Sequence, residues 1–83
     1  MEINVVIRTA VSDDYSALTE LAGQLGHQAE PSKLRSRLLH LLERPDHVIF
    51  VAEFEREIIG WVHGYLYSFL YLDQALELAA LVV

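Results

Sequence analysis

Eighty-three residues make one small domain, able to bury only about 60 to 65% of the surface its unfolded form exposes. With 53% hydrophobic and 22% charged residues the chain is globular and not disordered. Twelve acidic against six basic residues, net −6, argue against a binder of nucleic-acid backbones and favour a cationic partner, and the absence of cysteine excludes a disulfide framework, a thiolate nucleophile and Cys-ligated zinc.

The opening MEINVVIRTAVSDD carries Glu2 and no basic region ahead of an apolar run, unlike a secretory leader, so a cytoplasmic location is expected. Ile3, Val5 and Ile7 alternate with Asn4, Val6 and Arg8 and predict a first strand. Ser12 offers an N-cap oxygen, and Asp13 and Asp14 suit the positive end of a helix. Tyr15, Leu18, Leu21, Ala22 and Leu25 give that helix an apolar stripe, and Gly26 can take the left-handed position that ends it. Pro31 and Ser32 start a second helix with Leu34, Leu38, Leu41 and Leu42 on one stripe; Pro45 stops it, and Lys33, Arg35 and Arg37 read as a solvated face.

His47 to Phe54 predicts a second strand, Ile58 to about Tyr67 a third, and Gln74 to Val83 a fourth. The turn at Glu55, Arg56 and Glu57 lacks the Gly or Asn of a tight primed hairpin, so a loop of three to five residues is expected. The longest stretch free of Asp, Glu, Lys and Arg, Ile58 to Leu72, is fifteen residues, short of the roughly 20 that span a bilayer, so no membrane segment is expected. From Ile58 onward only Asp73 and Glu77 are charged, so this half must be covered by protein. The order is β-α-α-β-β-β, an α+β fold with two helices on a mixed, largely antiparallel sheet, within one domain spanning 1–83.

This order, with Ile7-Arg8-Thr9-Ala10 followed by Asp13 and Asp14, LAGQLG at Leu21 to Gly26, VIFVAEFEREIIGWVHG at Val48 to Gly64, and ELAALVV at the end, resembles the N-terminal half of the GCN5-related N-acetyltransferase (GNAT) superfamily. The resemblance implies transfer of acetyl from acetyl-CoA to a primary amine on a small molecule or protein. That family's signature is a Q/R-x-x-G-x-G/A loop after the fourth strand, whose amides hold the cofactor pyrophosphate at a helix N-terminus. The sequence stops before such a loop, so a truncated domain that is inactive by itself, one part of a molecule whose remainder is elsewhere, or a relic of the family with another role is expected.

Glu77 is the candidate catalytic residue: a period-two strand would put it on one face with Ala79, Leu81 and Val83, where apolar surroundings raise a carboxyl toward the range of a general base. Some acetyltransferases that the sequence resembles use a glutamate at the matching place. The alternative is an edge-strand glutamate that discourages aggregation. Leu81, Val82 and Val83 are the cofactor-binding candidates, since the resemblance implies that their backbone pairs with the pantetheine arm as with another strand; otherwise they are plain core strand. Trp61, His63 and Tyr65 are the substrate-binding candidates, and with Tyr67, Phe69 and Tyr71 they line one face of the third strand, either as a groove for the acceptor or as the face on which helices pack. Four histidines, His27, His40, His47 and His63, sit in no HExxH or His-x-His pattern, so no metal is expected. Two other readings stand beside the enzyme. One is a non-catalytic module that homodimerises through its fourth strand or apolar sheet face. The other is an unrelated small α+β binding domain.

Overall fold

A computed structural model describes residues 4–26, 30–70 and 72–83, with backbone only for Phe69, Leu72 and Asp73. Ile3, His27 and Tyr71 lie outside the described residues. In chain order the elements are β1 (Val5–Thr9), a 3-10 turn (Ser12–Asp14), α1 (Tyr15–Gln24), α2 (Pro31–Leu42), β2 (His47–Phe54), β3 (Glu57–Phe69) and β4 (Leu72–Val82). The strands form one sheet in the order β1-β2-β3-β4 with all three pairings antiparallel. Among the described residues no helix is long and apolar enough to cross a membrane.

Both helices lie on the same face of the sheet. Leu18 from α1 and Leu38 from α2 meet Ile49 and Val51 of β2 and Ala10 after β1, with Trp61 and Ile58 of β3 packed against them. Burying each large aliphatic side chain there stabilises by about 1.5 to 3 kcal/mol. The helix boundaries follow local chemistry: Pro31 sits at the first position of α2, and Gly26 ends α1 with φ +86°, which a side chain would strain. Ser12 does not cap α1; the chain first makes the 3-10 turn, and the Asp14 carboxylate accepts from the Val11 backbone N–H at 2.8 Å.

The β2–β3 connection differs from expectation. Phe54 pairs with Glu57, so the turn is only Glu55 and Arg56, both at positive φ (49° and 66°), a primed two-residue hairpin made without Gly or Asn. Close pairing of two long strands holds these residues in a region that L side chains rarely adopt.

The register shifts at three places, one of them between Tyr67 and Phe69, and the other two set which residues of the site share a face. In β3, Ile59 is the extra residue, since Glu53 pairs with Ile58 but Ala52 with Gly60. In β4, Ala79 is the extra residue, since Gly64 pairs with Leu78 but His63 with Ala80. The helix face therefore holds Ile49 and Val51 with Trp61, His63, Tyr65, Glu77 and Val82. The opposite face is apolar and open: Ile7, Leu76, Leu78 and Leu81 are each more than half exposed there. β4 is the outer strand, with no neighbour on its far side among the described residues.

Candidate functional site

The turn before β2 fixes the start of the site. Arg44 donates from Nε and Nη2 to the Asp46 carboxylate at 3.0 and 2.9 Å, holding that carboxyl down at about 2, and the Asp46 carbonyl accepts from Leu66 N–H at 2.7 Å. His47 is thereby placed opposite Tyr65, diagonal to His63. Its Nδ1 lies 2.9 Å from His63 Nε2, with ring centroids 5.2 Å apart, an end-on approach in which one nitrogen carries the proton and the other accepts it. Burial, with the neighbouring His47 adding to it, pushes the His63 imidazole below its ordinary pKa.

The row continues across β3 into β4. His47 stacks on Tyr65 at 5.8 Å, and Tyr65 stands 5.9 Å from Tyr67. Burial and the Glu77 carboxylate, which accepts a hydrogen bond from the Tyr67 hydroxyl, raise that hydroxyl above its ordinary pKa. The outcome is a strip of two imidazoles, two phenols and one carboxylate on the helix face, running from the start of β2 to the middle of β4.

The strip joins some of the expected residues and separates others. His63 and Tyr65 lie in it, half-buried, and Glu77 ends it. Trp61 is set apart, packed against the hydrophobic core as the packing reading of the aromatic stripe expects. Glu77 does not share a face with Leu81 and Val83: the Ala79 bulge puts Val82 on its face and turns Leu81 and Val83 to the other. Its carboxyl is exposed, so the apolar surroundings expected for a base are not formed. Of the cofactor candidates, Val82 is buried at 5% exposure while Leu81 and Val83 are open, and their backbone forms the free rim of the sheet. Among the described residues no three His, Cys, Asp or Glu side chains gather closely enough to hold a metal ion.

A second polar cluster has little signature in the sequence. The Arg8 guanidinium donates to both oxygens of Asp14 at 2.8 and 2.9 Å, and to Glu53 Oε1 at 3.0 Å, joining β1, the 3-10 turn and β2. The Arg8 hydrogen bonds hold the Asp14 carboxyl below the usual carboxylate range, against the opposing effect of its burial. Glu53 lies 45 residues from Arg8 in sequence, so only the acid at the helix start hinted at this pair.

No family model and no curated protein matches this chain. Solved structures do. A GNAT family acetyltransferase of Staphylococcus aureus superimposes with TM-score 0.84 at 20% identity, over 98% of this chain and 63% of that one. Glucosamine-6-phosphate N-acetyltransferase of Arabidopsis thaliana gives 0.77 at 24% identity, over 96% and 60%. An aminoglycoside antibiotic 6'-N-acetyltransferase of Acinetobacter baumannii gives 0.78 at 13% identity, over 94% and 56%. The chain thus spans about three fifths of the length of these neighbours, and its fold is that of the N-terminal half of GNAT acetyltransferases.

Proposed function

We propose that this chain forms the thioester-binding side of an N-acetyltransferase acting on a primary amine. The observation that carries the reading is the outer strand β4, which combines a free backbone edge at Leu81 to Val83 with an exposed carboxylate, Glu77, on the helix face. A free edge suits an extended amide-bearing arm, because such a ligand can add to the sheet as one more strand. Acetyl-CoA would supply the acetyl thioester along that edge. Glu77 takes a proton from the ammonium form of the acceptor, directly or through water. The neutral nitrogen attacks the thioester carbonyl carbon, the C–N bond forms, the C–S bond breaks, and the thiolate leaves and is protonated. Tyr65 and His63, beside Glu77 on the same face, wall the acceptor side, and a net charge of −6 suits cationic amines.

Thermal melting with acetyl-CoA and a thiol-release assay with a panel of amines test this. A rise in Tm with acetyl-CoA, lost in Leu81→Pro, and amine-dependent thiol release, lost in Glu77→Gln with the Tm rise retained, are expected. No Tm shift and no thiol release with any amine overturn it.

A second reading, a non-catalytic module that pairs with another copy of itself, is favoured by the open apolar sheet face and the same free edge. Light scattering across a concentration series distinguishes it: a dimer that does not respond to acetyl-CoA supports it, and a monomer at all concentrations removes it.

A further inference from the structure

Between the helices and the sheet lies a cavity of about 150 Å³, walled by Leu18, Leu38 and Ile49 and by three polar-tipped side chains, Arg37, Trp61 and His63. It is separate from the rim of β4 and from Glu77. Trp61 pairs opposite Val51 and Val82, both buried, so its ring lies on the helix side, where this cavity is. The indole Nε1–H is buried and has no acceptor among the described residues. An indole nitrogen can only donate, so nothing but an acceptor satisfies it. Arg37 forms no ion pair among the described residues, where the paired Lys and Arg side chains are Arg8, Lys33 and Arg44. The Nε2 of His63 is taken by His47, which leaves its Nδ1 as a further polar atom.

Apolar walls, an unsatisfied buried donor and an unpaired guanidinium call for a ligand with a short hydrocarbon body and one anionic acceptor. An apolar cavity of about this volume accommodates benzene, with its roughly six heavy atoms. We propose that this cavity binds a small monocarboxylate of the size of butyrate or valerate, its carboxylate meeting Arg37 and the Trp61 indole N–H and its chain lying against Leu18, Leu38 and Ile49. The net charge of −6 opposes anions at a distance, but Arg37 shares its helix with Lys33 and Arg35, and screening at physiological salt leaves the local cations in control.

Trp61 is the only tryptophan of the chain, so its emission and its indole N–H resonance read this cavity alone. The full chain is titrated with sodium butyrate and sodium valerate, with butanol, sodium chloride and decanoate as controls. Saturable change in emission and a downfield shift of the indole N–H are expected with the two short acids, at a Kd of about a millimolar given so few atoms. The controls leave both signals unchanged. Arg37→Gln, an exposed substitution, weakens binding about tenfold or more by removing a charge-assisted hydrogen bond. Leu34→Phe, at another wall of the cavity, fills it and abolishes binding while the circular dichroism stays that of the parent. An indole resonance that no acid moves, a response shared with chloride or butanol, or unchanged affinity in Arg37→Gln overturns the proposal; the first of these means that water satisfies the indole.

Discussion

Arg8 is half of a polar device in which each member would be costly alone. Asp14 is buried, and it is tolerated as an anion because Arg8 meets both its oxygens and Val11 N–H meets one. Arg8→Gln should lower the unfolding free energy by about 1.5 kcal/mol, less than for a fully buried pair because Arg8 is partly exposed, measured by urea denaturation. The folded Asp14 pKa is lowered, so its contribution is complete above the unfolded value of 3.8 and is lost as pH falls through the lower folded value; Asp14→Asn should flatten that acid limb. His63 also has a lowered pKa, and for a histidine this means it is buried neutral. Stability is therefore full above the unfolded value of 6.5 and declines as pH falls through it toward the folded pKa. Urea midpoints compared at about pH 7.5 and about pH 5 should drop in the parent and drop less in His63→Phe.

At the scale of elements, the hairpin and β4 are the two places where backbone geometry sets the outcome. Glu55 and Arg56 both sit at positive φ, a conformation that Asn-Gly adopts without strain. The double variant Glu55→Asn, Arg56→Gly should stabilise the protein by about 1 kcal/mol, read as a raised urea midpoint with an unchanged slope. Gly60 has the opposite role. A Cβ there would stand 3.1 Å from the Val82 carbonyl oxygen, so β4 can approach β3 this closely only because the position is bare. Gly60→Ala should cost about 1 kcal/mol and speed amide hydrogen exchange at the end of β4, with β2 unaffected.

For the whole molecule, the dominant fact is that one sheet face is covered and the other is not. Leu76, Leu78 and Leu81 on β4 and Ile7 on β1 leave a contiguous apolar surface with exposures of 67, 58, 62 and 65%. Surfaces of this kind associate. The chain alone should show concentration-dependent association by light scattering, and Leu78→Lys, which puts a charge among the exposed leucines of β4 without touching the core, should reduce it.

How much of this was legible beforehand depends on whether the determinant is local. Gly26 as a left-handed stop, Pro31 at a helix start, the bounds of β2 and the helix stripes, save Leu25, which lies past the end of α1 and is exposed, are local matters of steric preference and apolar period that the sequence carries. The element order and the resemblance to acetyltransferases were equally readable, since they rest on the succession of such segments, whereas the sheet expected to be mixed has every pairing antiparallel, which the pairing of the strands decides. The two-residue turn was not, because its strain is tolerated only through the pairing of the strands it joins. Nor were the bulges. Without Ile59 as an extra residue, His47 would pair with Gly64, and its side chain would face away from His63; without Ala79 as another, Glu77 would lie with Leu81 and Val83 on the open face. Strand side chains alternate with a period of two, so one inserted residue exchanges the faces of everything beyond it. The types of residue available for a site were therefore set by the sequence alone, and which of them meet was decided by the register of the folded sheet.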